Sequence, residues 1–114
     1  MIDKETFRDN FRYYDKGIVL QVIDMFLADY QDTFTGLQAS IDNLDFDGID
    51  NIAHSFKSNV AYMSAEVSEL ARIIEHKGKD KNNDGLQAAF EKLKAGTSLM
   101  VNELVEMRQE YEGV

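Results

Sequence analysis

The sequence predicts an all-α protein, an antiparallel four-helix bundle with a short additional helix at its N-terminus. Three observations carry this. Proline is absent from all 114 residues, so no helix interior lacks a backbone donor. Apolar residues recur at the helical period in four successive stretches. The joints between those stretches are short and hold capping residues, which sets consecutive helices side by side and antiparallel.

Asp3 can cap a short first helix whose Phe7, Phe11 and Tyr14 recur at i, i+4 and i+7, one apolar edge suited to a lid on a bundle end. Asp15 is the next cap. After it Val19, Val22, Ile23, Phe26, Leu27, Tyr30, Phe34, Leu37 and Ile41 hold the period to about Asn43, a rod of roughly 40 Å at ~1.5 Å per residue. Asp45 caps a third helix reaching about Tyr62, with Ile49, Ile52, Ala53, Phe56, Val60 and Met63 on its buried stripe. The chain breaks near Met63 and Ser64. There Ser64 caps a fourth helix with Glu66 in its first turn and the stripe Val67, Leu70, Ala71 and Ile74. His76, in that helix's last turn, favours the carbonyl end of the dipole and reads as structural.

Residues 77–85 are polar and glycine-bearing, the clear loop of the chain. Asp84 and Gln87 then have the spacing of an N-cap and its third helical residue, opening a last helix with Leu86, Phe90, Leu93, Met100, Leu104, Met107 and Tyr111. No repeat, low-complexity segment or linker interrupts this order. Residues 1–114 are expected to form a single domain.

Twelve basic against 21 acidic residues give a net charge of −9, which argues against nucleic acid or an anionic membrane surface as partner. With no cysteine there is no disulfide, thiol nucleophile or thiolate metal site, in keeping with a reducing cytoplasm. No apolar run is long enough to span a bilayer, and the N-terminus lacks a signal pattern. A cytoplasmic monomer without membrane attachment is the expectation. A chain of this length has no room for an ATP-binding module beside the bundle. It also lacks a glycine-lysine phosphate loop, a G-x-S-x-G elbow and an H-E-x-x-H helix. No cofactor, no metal and no independent enzymatic turnover are expected.

Chemistry concentrates on the third helix. At about 100° per residue His54 projects roughly 140° from the middle of the buried stripe, toward solvent. A lone surface histidine is ordinarily only a solvated polar residue, but the neighbours here alter that reading. Lys57 lies one turn on, about 60° round the helix, so its ammonium can meet an anion carried on the ring. Ser58 and Ala61 are small and leave the approach open. A neutral imidazole nitrogen on such a face suits a phosphoryl acceptor that must enter another protein's active site.

The run Ala53-His54-Ser55-Phe56-Lys57-Ser58-Asn59-Val60-Ala61-Tyr62-Met63-Ser64-Ala65 resembles the signature of histidine-phosphotransfer (HPt) domains. In that signature a small residue, His, any residue, an aliphatic residue and Lys precede glycine and small residues. Asp45 matches the acidic residue that opens the family's helix nine positions before the histidine. Ser58 and Ser64 stand where the family usually has glycine, and Phe56 where it usually has leucine.

The resemblance implies a phosphorelay carrier that accepts a phosphoryl group on His54 from a receiver-domain aspartate and passes it to another, with Lys57 stabilising the transferring charge. It implies response-regulator receiver domains as partners, that of a hybrid histidine kinase among the candidates, bringing the aspartate, a lysine and Mg²⁺. Asp47, Asp50, Asn51, Ser55, Ser58 and Ala61 are then the contact candidates. Asp50, one turn before His54, is a candidate for fixing the ring's tautomer.

Two rival readings come with the same residues. Ser58 and Ser64 fit a helical interaction module that has lost phosphotransfer. The segment from Asp80 to Glu91 satisfies the calcium-loop pattern D-x-[DN]-x-[DN]-G-x5-E in full, although Gln87 replaces an aliphatic residue and no second loop exists. A helix starting at Asp84 would prevent its oxygens from wrapping an ion.

Overall fold

The computed structural model describes residues 2–113. Five helices follow one another and no strand occurs among the described residues: α1 (Lys4–Asn10), α2 (Lys16–Asp42), α3 (Phe46–Val60), α4 (Ala65–Lys79) and α5 (Leu86–Glu112). Side-chain caps start three of them where the sequence places them. The Asp15 carboxylate accepts from the Gly17 amide, the Asp45 carboxylate from Gly48 and the Ser64 hydroxyl from Val67, each at 3.1 Å. Each bond satisfies a helix N-terminal amide that would otherwise have no partner.

The apolar stripes meet in a single core. Val19, Ile23, Leu37, Ile49, Ala53, Val60, Val67, Ala71, Ile74, Phe90, Leu93, Met100 and Leu104 are all buried, and each of these side chains larger than alanine contributes about 1.5–3 kcal/mol by leaving water. Phe56 uses its extra bulk here: its ring packs 5.1 Å from Phe34 and 5.9 Å from Phe26, while Phe34 lies 5.6 Å from Phe90. An aromatic at that position therefore joins α3 to α2, and through Phe34 to α5.

Around this core α2 packs on α3 and α5, and α4 on α3 and α5, the closed ring of a four-helix bundle. The two 27-residue helices are each about 40 Å long and account for most of the 46 Å length of the molecule. The 15-residue α3 and α4 cover only part of that length, leaving one end for α1. Phe7 is fully buried there, 6.4 Å from the Tyr111 ring, and Phe11 lies 5.5 Å from Tyr62. The Asp3 amide donates to the Met63 carbonyl at 2.8 Å. At the same end Arg108 of α5 forks onto Asp24 of α2.

Three local expectations are corrected. Helix α1 stops at Asn10, so Phe11 and Tyr14 lie beyond it, and the Asp3 side chain makes no capping bond. Tyr14 is largely exposed. The last helix does not start at Asp84: its N-cap is Gly85, held at φ +65°, and α5 begins at Leu86. Glycine alone takes that left-handed conformation without a Cβ penalty. Asp84 is instead fixed from the loop side, its carbonyl accepting from Lys77 at 2.7 Å and its amide donating to Asn82 at 3.0 Å. Gln87 turns away to Gln38 and Glu91, so no capping box forms.

Candidate functional site

Helices α3 and α4 are separated by four residues and run back along one another at close quarters. The Ser68 hydroxyl donates to the Lys57 carbonyl at 3.3 Å. Further along, a Cβ on Gly78 would stand 2.7 Å from the Asp50 amide nitrogen and 3.0 Å from the Phe46 carbonyl oxygen, so only glycine lets the two backbones approach this closely. That contact fixes the last turns of α4 against α3 and brings Glu75 under His54.

The Glu75 carboxylate is 3% exposed and serves three groups. Its Oε2 meets His54 Nδ1 at 2.6 Å, its Oε1 accepts from Lys57 Nζ at 3.0 Å, and Lys79 Nζ lies 3.7 Å from the same Oε1. Burial alone would raise the Glu75 pKa. Hydrogen bonds from Lys57 and His54, with the charges of Lys57 and Lys79, outweigh that and hold its carboxyl below the ordinary carboxylate value. An ionised carboxylate can only accept, so the hydrogen in the 2.6 Å bond belongs to Nδ1. In the neutral ring the free lone pair is then on Nε2. His54 remains 61% exposed, so a buried anion orients the ring while its nucleophilic edge stays open to solvent.

The sequence candidates fall around this ring in distinct ways. Asp47, Asn51, Ser55, Ser58 and Ala61 are exposed and Asp50 is half-buried. Asn51 and Ser55 line a shallow groove with Asp32, Thr33 and Gly36 of α2, on the flank opposite α4. The Ser58 hydroxyl donates to the His54 carbonyl at 3.1 Å, spending its hydrogen on its own helix. Ser64 is buried as the cap of α4. The tautomer partner is Glu75 and not Asp50, because the ring nitrogen faces α4 and not the preceding turn of α3. Lys57 is likewise no free ammonium but a partner of Glu75.

Sequence reasoning passed over Glu75 and Lys79. A signal was present: Glu75 follows Val67 and Ala71 at four-residue steps, on the buried stripe of α4, where a lone carboxylate is costly unless paired. The calcium-like segment is not assembled. Asp80 terminates α4, the Asn82 oxygen takes the Asp84 amide, and Glu91 pairs with Lys94 at 2.9 Å. Among the described residues no group of three or more His, Cys, Asp or Glu side chains is placed to hold a metal ion. No helix among them is long and apolar enough to cross a membrane.

Comparison with known proteins gives the fold and site a context. The structure superimposes on histidine-containing phosphotransfer protein B (HptB) from Pseudomonas aeruginosa PAO1 with a TM-score of 0.88, over 96% of each chain and at 18% identity. At that identity the likeness concerns the fold. No curated protein sequence matches. The family model described as "Hpt domain" matches residues 21–112, a span that takes in most of α2, all of α3 and α4, and α5 to its last residue. The chain belongs to the Hpt domain family, the histidine phosphotransfer carriers of phosphorelays.

Proposed function

We propose that His54 is the phosphoryl acceptor of this carrier and that Glu75 and Lys57 prepare it. One observation carries the reading: an exposed imidazole whose Nδ1 is held at 2.6 Å by a buried carboxylate. A solvated surface histidine has no need of such an anchor. The Nε2 lone pair attacks phosphorus as the bond from phosphorus to the donor aspartate oxygen breaks, its electron pair leaving with the aspartate. The Nδ1 proton stays in the bond to Glu75, and the negative charge of that carboxylate balances the positive charge the ring acquires. Transfer of this kind passes through a loose transition state with charge on the equatorial oxygens, so positioning and nearby cations matter most. Lys57, one turn from His54, supplies such a cation.

Hpt domains pass phosphoryl groups to response-regulator receiver domains, and as carriers they are not enzymes in the usual sense. For this chain the reading takes residues 1–114 as one Hpt-like unit, a cytoplasmic monomer that exchanges phosphate between receivers. The receiver covers the His54 face, with Asp47, Asp50, Asn51, Ser55, Ser58 and Ala61 as contacts. The groove beside Asn51 and Ser55 extends that face toward α2, and the Ser58 hydroxyl, already bonded within its helix, leaves the approach to the ring clear.

The test is incubation of the full chain with a phosphorylated receiver domain. Label should appear as a phosphoramidate, lost in acid and stable in base, and His54→Gln should abolish it. Label retained by His54→Gln from every receiver that labels the parent would overturn the assignment.

A further inference from the structure

Charge counting around Glu75 points to a residue that the HPt-like run of α3 does not contain. The carboxylate carries one negative charge, and two ammonium groups are joined to it, Lys57 from α3 and Lys79 from α4. With the ring neutral the cluster therefore holds one net positive charge. Without Lys79 the remaining Lys57–Glu75 pair would be neutral. A phosphoryl group arriving on His54 brings close to two negative charges, in a chain whose formal charge is already −9, and Lys57 alone, half cancelled by Glu75, meets less of that charge than the two lysines together.

The two lysines are held differently. Lys57 Nζ sits at hydrogen-bond distance, 3.0 Å, with its side chain 26% exposed, whereas Lys79 Nζ stands at 3.7 Å with its side chain 52% exposed. Lys79 is thus the looser of the two and can leave Glu75 while Lys57 and His54 still satisfy it. Its position is not left to chance. It is the last residue of α4 and follows Gly78 directly, where α4 and α3 touch backbone to backbone.

We propose that Lys79 is a second phosphoryl-binding residue of this chain, swinging from Glu75 to the phosphoryl oxygens as the group reaches His54. This rests on His54 being the acceptor. Lys79 moves no proton and makes no bond in the transfer itself. It supplies the positive charge that Glu75 does not cancel, stabilising the transferring group and the phosphohistidine alike.

Single-turnover transfer from a phosphorylated receiver domain to the full chain, at low salt, tests this. Lys79→Ala should lower the saturating transfer rate about tenfold, the scale of one partly screened charge contact, and shift the transfer equilibrium toward the receiver. The receiver concentration giving half the maximal rate should stay the same. Lys79→Arg should restore most of the rate and Lys79→Gln should not. Lys94→Ala, paired with Glu91 on α5, should leave the rate unchanged. A saturating rate equal to the parent's in Lys79→Ala, or a loss confined to the half-saturating concentration, would overturn the proposal while leaving His54 in place. Failure of the parent to take label, or label surviving in His54→Gln, would instead remove the reading on which it rests.

Discussion

The seam between α3 and α4 and the turn between α4 and α5 are both rich in groups that suggest chemistry, yet only one of them is a site. Along the seam, two chain segments bring His54, Lys57 and Lys79 onto one buried carboxylate. In the turn, residues with the spacing of a calcium loop are each engaged separately, Asn82 by a backbone amide, Glu91 by Lys94 and Gln87. Spacing along the chain therefore says little until something aims the side chains at a common point. In the seam that something is the packing of two helices at Gly78. The turn has no counterpart, because α5 begins at Leu86 and carries Glu91 away along a helix.

The largest effect should follow from removing the common point. Glu75→Ala frees the ring to rotate and leaves both lysines without their partner, so transfer to His54 should slow on the order of 10- to 100-fold, as when an orienting partner of a functional histidine is lost. Transfer at the parental rate would mean that the seam needs no anchor. Acidity probes the same residue. Because the folded-state pKa of Glu75 is lowered, its contribution to stability is complete above the unfolded value of about 4.3 and is lost as pH falls through the lower folded value. Glu75→Gln should therefore remove part of the acid-induced fall in melting temperature between roughly pH 5 and 3.

A smaller effect is expected at the contact that builds the seam. Gly78→Ala gains about 1 kcal/mol in helix propensity, but its Cβ would meet backbone atoms at 2.7 and 3.0 Å, and overpacking costs about 1–3 kcal/mol. The clash outweighs the propensity, since backbone cannot turn aside as a side chain can. Chemical denaturation should show a net loss of up to about 2 kcal/mol, together with slower transfer. A stabilised Gly78→Ala would show that the helices can part without cost.

The smallest effect belongs to the turn. An N-capping Asp84 would be worth about 1 kcal/mol. With Gly85 as the N-cap, Asp84→Ala and Asp80→Ala should each change stability by less than about 0.5 kcal/mol. Millimolar calcium should not raise the melting temperature, as a bound ion would by mass action. A saturable rise abolished by Asp80→Ala and Glu91→Gln would make the two regions equals.

These contrasts follow what a single sequence can disclose. The bundle was legible because its signals are local: Asp15, Asp45 and Ser64 cap within three residues, and the stripes repeat every three or four. The spacing of Phe7, Phe11 and Tyr14 discloses the edge of a lid but not the stop of α1 at Asn10, which nothing nearby in the chain marks and which leaves Tyr14 exposed. The start of α5 was misplaced because Lys77 and Asn82 hold Asp84 from across the loop. At the candidate site, His54 and Lys57 lie within one helix and could be paired from spacing alone. Glu75 is 21 residues from His54, and only the packing of α3 on α4 turns a carboxylate on a buried stripe into an anchor. Asp50 drew the assignment instead because it is near in the chain.

The central claim is that Glu75 holds His54 by Nδ1 and leaves Nε2 to accept phosphate. Long-range ¹H–¹⁵N NMR on the histidines of the ¹⁵N-labelled chain, before and after loading from a phosphorylated receiver domain, reads this directly. The account predicts a neutral, Nδ1-protonated His54 ring before loading and a phosphoryl group on Nε2 of His54 after loading, with His76 unchanged. A phosphoryl group on Nδ1 of His54, or on His76, would contradict it.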